Sequence, residues 1–234
     1  MEAGACLGEP RTFHDRTRRP HPPPFPSGGG PVSRRGIGIV DYGVGNHTSV
    51  WRTLYTLGYR CKVTSRPEEL DAMDLLVLPG VGAFPAAMQA IHARGLATYL
   101  RAAAAADRPL LGICLGMQML ADSSTEYGET AGLGLIPGRV DAIGAGLWHI
   151  GWNAIEADPA DPLLGRSANE SFYFNHSYAV DCTPEFAVAH ASLSRRFPVV
   201  TRRGRVVGVQ FHPEKSQHAG RQLLTDIIGG LLHA

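Results

Sequence analysis

The pentapeptide Gly112-Ile113-Cys114-Leu115-Gly116 sets a thiol between two glycines, in the G-x-nucleophile-x-G form of a sharp strand-to-helix turn. Glycine on either side lets the chain turn tightly and neighbouring backbone approach closely, so the central side chain projects above a sheet edge. Leu110 to Ile113 supply the strand, and Met117, Gln118, Met119 and Leu120 open the helix. A thiol at a helix N-terminus sits near its positive end, which favours the thiolate, the form that attacks carbonyl carbon. The Leu115 N–H points into the space where an oxyanion would form. Such a nucleophile needs a base and a group that orients the base. Val209-Gln210-Phe211-His212-Pro213-Glu214-Lys215 offers both. The apolar run RVVGVQF brings His212 to a strand end. Glu214, two residues on, projects to the same side and accepts from one imidazole nitrogen while the other faces Cys114. Pro79-Gly80-Val81-Gly82 ends the apolar strand LLVLP in backbone able to turn its N–H groups inward, a second half for the oxyanion site. Taken singly, these segments read as a buried turn, a surface turn and an ordinary loop. Their conjunction points to a Cys-His-Glu triad acting on a carbonyl.

Elements able to hold these groups are visible around them. GIGIVDYG is a short apolar strand ending in a Gly-rich turn, and NHTSVWRTLYTLG sets Val50, Trp51, Leu54 and Leu57 at helical spacing, closed by Gly58. YRCKVT and MDLLVLPGVGAF follow as strands, then one long Ala-rich helix over about Phe84–Ala105, then the strand RPLLGICLG. Alternation of this kind specifies an α/β domain with a mostly parallel sheet and helices on both faces, whose site lies at the carboxyl ends of the strands. After about residue 130 short β-like runs succeed one another with little helix between, which predicts mixed or antiparallel pairing in the C-terminal half. A final helix carries Leu223, Leu224, Ile227, Ile228 and Leu231 on one face.

Residues 1–35 have a different texture. They are rich in Pro, Gly and Arg, lack hydrophobic periodicity, and hold six arginines against three acidic residues. The composition predicts a disordered tail without a role in the fold, and one domain over 36–234. The net charge of +1 gives no reason to expect nucleic acid or an acidic membrane as partner. No apolar run is long enough to span a bilayer, and the first residues lack the apolar core of a secretory signal. Cys6, Cys61, Cys114 and Cys182 lie far apart without a C-x-x-C pair, as expected of a chain in the reducing cytoplasm. Cys61 and Cys182 read as small buried apolar residues. His149 and His176 have no ligand-type spacing partner and read as core or hydrogen-bonded histidines, so no metal site is expected.

The segments IVDYGVGN (39–46), LPGVGAF (78–84), GICLGMQML (112–120), GLGLIPGRV (132–140), HIGWN (149–153), YFNHSYAV (173–180) and GVQFHPEKS (208–216) together resemble the class I glutamine amidotransferases. Within that family they are similar to the branch of glutaminase subunits of imidazole glycerol phosphate synthase. The resemblance implies the three-layer fold of the family and a triad of Cys114, His212 and Glu214. It implies an oxyanion hole from the Leu115 amide with a backbone amide at Gly80 or Val81, in a loop thought to flip on activation. It also implies glutamine-binding positions at Gly82, Gln118, Glu126, Ser177 and Tyr178. Asn46, Trp152 and Lys215 match positions near the contact with a cyclase (β/α) barrel subunit. No metal or organic cofactor is implied.

Overall fold

A computed structural model describes residues 35–233 of the chain. Its first half alternates as the apolar pattern dictates: β1 (Gly36–Val40), α1 (His47–Thr56), β2 (Arg60–Thr64), α2 (Pro67–Leu70), β3 (Leu75–Gly80), α3 (Phe84–Ala93), α4 (Leu96–Ala105), β4 (Leu110–Cys114) and α5 (Leu115–Met119). Strands β1, β3 and β4 are buried at every position, as unbroken apolar runs covered on both faces must be. The edge strand β2 buries only Cys61 and Thr64.

The second half contributes β5 (Ser123–Ser124), β6 (Thr130–Ala131), β7 (Gly138–Ala142), β8 (His149–Ala154), β9 (Glu156–Ala157), β10 (Ser171–His176), β11 (Tyr178–Cys182), β12 (Ala187–Ser192), β13 (Arg196–Arg203), β14 (Val206–Val209) and α6 (Gln217–His233). The main sheet has the order β2-β1-β3-β4-β14-β13-β12-β9. Neighbours from β2 to β14 pair parallel, and those from β14 to β9 antiparallel. β8 pairs with β10 in a separate antiparallel ribbon, and β11-β7-β5-β6 form a small third sheet.

Strand alternation divides the core into two layers. Leu75 and Val77 of β3 join Val50 and Leu54 of α1 and the five apolar residues of α6 on one face. Leu76 and Leu78 join Phe84, Met88 and Ile91 of α3 and Leu96 and Leu100 of α4 on the other. The result is a three-layer α/β sandwich. The chain adds β2 on one side of β1 and β3 on the other, so the strand order reverses there.

Two local expectations are corrected. The single helix over Phe84–Ala105 is two helices, broken at Gly95, which adopts a left-handed φ of 69°. Only glycine takes that conformation without cost, and the Ala-rich surroundings mask it in a sum of propensities. The helix after Cys114 has only five residues, so the positive end the thiol was expected to feel is weak. The expected disorder of 1–35 falls, except at Arg35, outside the described residues. Among the described residues no helix is long and apolar enough to cross a membrane.

Candidate active site

Cys114 ends β4 with φ 55° and ψ −113°, a backbone conformation that L side chains rarely adopt. Such strain costs on the order of 1–3 kcal/mol and persists only where the surroundings enforce it. The flanking glycines enforce it here. A Cβ on Gly116 would lie 1.8 Å from the Leu78 carbonyl oxygen, and one on Gly112 would lie 2.7 Å from the Gly116 carbonyl oxygen. The elbow therefore sits directly against the end of β3.

β14 runs parallel to β4 with Val209 beside Ile113, which carries the chain past Gln210 and Phe211 to His212. The His212 N–H donates to the Tyr173 carbonyl at 2.9 Å, and the Ser216 hydroxyl donates to the His212 carbonyl at 2.7 Å. This pins the backbone, while the ring Nδ1 shares a 2.9 Å hydrogen bond with Glu214 Oε1. Both side chains are almost fully buried, at 3% and 2% exposure. The other ring nitrogen is left for Cys114, which lines the same cavity wall as His212. Burial by itself would lower the His212 pKa. The neighbouring Cys114 thiol and Glu214 carboxylate outweigh it and raise the value to about 9. Of the other thiols among the described residues, Cys61 is buried as expected but Cys182 is only partly so, because it lies at the end of the edge strand of a small sheet. Burial pushes Cys61 up to about 12 and Cys182 up to about 11, which leaves both protonated.

Cys114 and His212 open on a cavity of about 370 Å³, whose wall also includes Val81, Gly82, Leu115, Gln118, Glu126, Ser177, Tyr178 and Lys215. That volume falls within the ~300–1,000 Å³ typical of small-molecule sites. Gln118 is buried, and its amide donates to the Tyr178 carbonyl at 2.8 Å and to Gln210 Oε1 at 3.1 Å. Glu126 accepts from the Phe84 N–H at 2.7 Å, which caps α3 from a distant segment.

Of the remaining sequence candidates, Gly80, Asn46 and Trp152 lie outside the cavity wall, whereas Lys215 is part of it. Gly80 is not in the cavity wall: a Cβ there would meet the Gly116 nitrogen at 2.8 Å, so it packs beneath the elbow. Asn46 caps α1 through the Ser49 N–H at 3.4 Å. Trp152 is half-exposed on β8, edge-on to Tyr173, and Lys215 Nζ stands 5.7 Å from the centre of the same tyrosine ring. The cavity also has walls that sequence reasoning missed, namely Tyr127, Trp148, Asn175 and His176. Gln210, fully buried with Nε2 3.9 Å from Cys114 Sγ, was missed too. Strand alternation was a signal for it, since Gln210 precedes His212 by two residues. Among the described residues no cluster of three or more His, Cys, Asp or Glu side chains is arranged to hold a metal.

A model of the family described as glutamine amidotransferase class-I matches residues 38–228, which span the whole site. The chain belongs to the class I glutamine amidotransferase family. Among its relatives, imidazole glycerol phosphate synthase subunit HisH of Symbiobacterium thermophilum is 45% identical over 194 residues, 81% of this chain and 92% of that protein. The protein of the same name from Streptococcus gordonii is 43% identical over 190 residues, covering 80% and 92%. A solved glutamine amidotransferase superposes with a TM-score of 0.68 at 20% identity, covering 85% of this amidotransferase and 99% of that one, a likeness of fold.

Proposed function

We propose that this amidotransferase hydrolyses glutamine to glutamate and ammonia and supplies the ammonia to a cyclase barrel subunit, as the glutaminase subunit of an imidazole glycerol phosphate synthase in histidine biosynthesis. The observation that carries the chemistry is the Cys114 thiol sharing a cavity wall with an imidazole that a buried carboxylate holds. The relatives' shared name carries the pathway.

Cys114 sulfur attacks the carboxamide carbon, and the developing oxyanion takes the N–H groups of Leu115 and Val81, whose residues line the cavity. Removing one such donor typically costs ~100-fold or more in rate. The C–N bond then breaks, with His212 giving its proton to the departing ammonia. This leaves a glutamyl thioester on Cys114. His212 next takes a proton from water, whose oxygen attacks the thioester; the C–S bond breaks, glutamate leaves, and the Cys114 thiolate is restored beside the protonated ring. A His212 pKa near 9 suits the first role, because the ring enters the cycle protonated and Glu214 stabilises that charge. Gly82, Gln118, Glu126, Ser177 and Tyr178 are the proposed glutamine contacts, all on the wall of the same cavity. Glu126 supplies the negative charge that an α-ammonium group needs. The exposed apolar side chains of Trp148, Ile150 and Trp152 lie around or beside the mouth, with Lys215 on its rim, and suit a docking face for the cyclase. Asn46 belongs to this face by resemblance alone.

The test is glutamine hydrolysis by the purified chain, with and without a cyclase barrel subunit and its nucleotide ligand. Weak hydrolysis alone and strong hydrolysis in the complex is the expected result, and Cys114→Ala should abolish it while the complex still uses free ammonia. Full activity that the cyclase leaves unchanged would instead identify a stand-alone glutaminase.

A further inference from the structure

A chain of hydrogen bonds, exposed at its Asn153 end and buried further in, runs from β8 to the nucleophile. Asn153 Nδ2 donates to the Ser192 carbonyl at 3.0 Å and meets His149 Nε2 at 3.1 Å. His149 Nδ1 meets His176 Nε2 at 2.9 Å, the two residues lying opposite each other across β8 and β10. His176 Nδ1 meets the Tyr178 carbonyl at 2.8 Å, and that same oxygen takes one amide hydrogen of Gln118 at 2.8 Å. The second amide hydrogen of Gln118 goes to Gln210 Oε1 at 3.1 Å, and Gln210 Nε2 faces Cys114 Sγ at 3.9 Å.

Only one placement of protons satisfies every link. A carbonyl oxygen can only accept, so His176 carries its proton on Nδ1. Its Nε2 must then accept, which makes His149 Nδ1 a donor and leaves His149 Nε2 to accept from Asn153. Both rings are neutral in this arrangement. Burial favours that form, pushing His176 down to about 4 and lowering His149 as well. His149 is further confined between Phe174, stacked at 4.1 Å, and Phe197, edge-on at 5.8 Å. With both Gln118 amide hydrogens engaged, its Oε1 is the polar atom left to receive an N–H from a ligand.

We infer that His176, itself oriented by His149 and Asn153, is a positioning residue: through the Tyr178 carbonyl it fixes Gln118 in the cavity wall and keeps Gln210 aimed at the Cys114 thiol. This rests on the glutaminase reading of the cavity. None of the links touches His212 or Glu214, so the effect falls on how glutamine is held rather than on proton transfer.

The experiment compares wild type, His176→Ala and His176→Asn in the complex with the cyclase, together with ¹⁵N NMR of the imidazoles in the full wild-type chain at neutral pH. Asparagine can present Nδ2 where the imidazole presents Nδ1, so it restores the donor to Tyr178. His176→Ala should raise KM for glutamine roughly tenfold, the effect of one lost buried hydrogen bond. Its kcat should stay within about threefold, the signature of lost uniform binding. His176→Asn should recover most of the loss. The spectrum should show both histidines protonated on Nδ1 and bare on Nε2, a readout that needs no variant to fold. A proton on Nε2 of either ring, or an asparagine variant no better than the alanine one, would overturn the inference. An inactive wild-type complex would remove both readings. An active one whose KM is indifferent to His176→Ala would remove this one alone.

Discussion

Glu214→Gln removes one charge from a buried pair while keeping the shape of the side chain. In the native chain the carboxylate accepts from His212 Nδ1 at 2.9 Å and helps raise the imidazole to about 9, against the pull of burial in the other direction. At pH 7.5 a group with that pKa is about 97% protonated, whereas one at the ordinary 6.5 is about 10% protonated. Loss of the carboxylate removes one of the two neighbours that raise the value, Cys114 being the other, and so reduces the population able to protonate ammonia. A second loss comes from orientation, since an amide can either accept from Nδ1 or donate to it and no longer fixes the tautomer. The equivalent change in a serine-protease triad costs ~10⁴-fold, and at least ~10³-fold is expected here. Initial rates of ammonia release by the cyclase complex from pH 6 to 10 provide the assay, and the variant's profile should also be displaced from that of the wild type. Stability gives a second readout with a definite sign. The folded value of His212 lies above the unfolded one, so its contribution is fully present below about pH 6.5 and fades as pH rises through about 9. A shift of this size corresponds to roughly 3 kcal/mol, with little solvent screening because the ring is 3% exposed. Urea unfolding of the wild type should show that decline between pH 6.5 and 10, and Glu214→Gln should flatten it. A variant with more than a tenth of wild-type activity and an unchanged pH profile would refute the reasoning.

Gly116→Ala puts a methyl group 1.8 Å from the Leu78 carbonyl oxygen. Carbon contacts need roughly 3.5 Å, so the elbow must retreat by more than about 1 Å. Displacements of that order cost about 100-fold in rate, which steady-state glutaminase kinetics on a variant with native circular dichroism would detect. A chain starting at Gly36 should fold, bind the cyclase and hydrolyse glutamine like the full chain. The half-exposed Arg35–Asp74 ion pair that it loses is of a kind worth less than about 1 kcal/mol. Loss of folding or of cyclase binding in that truncation would assign residues 1–35 a role.

The parallel half of the fold was legible because β1, β3 and β4 are local apolar runs whose alternate residues feed opposite layers, as Leu75 and Leu76 do. The elbow was legible for a related reason: a backbone as strained as that of Cys114 needs glycine at 112 and 116, and glycine is visible in a sequence. Gly95 shows the limit of this, since one left-handed residue inside an alanine-rich window leaves the helical pattern intact. The strands after residue 130 were visible, but their division among three sheets was not. Val140 meets Val180 and Trp152 meets Tyr173 across pairings that no local window contains. The concealed part of the site has the same origin. His149 and His176 were recognisable as core or hydrogen-bonded histidines, yet the bond between them exists only because the register of β8 against β10 sets them opposite each other. A one-residue slip in that register would turn one ring to the other face of the ribbon and leave a buried imidazole nitrogen unpaired. The antiparallel pairing therefore shapes the cavity that Cys114 and His212 line, although it contributes neither of those residues nor Glu214.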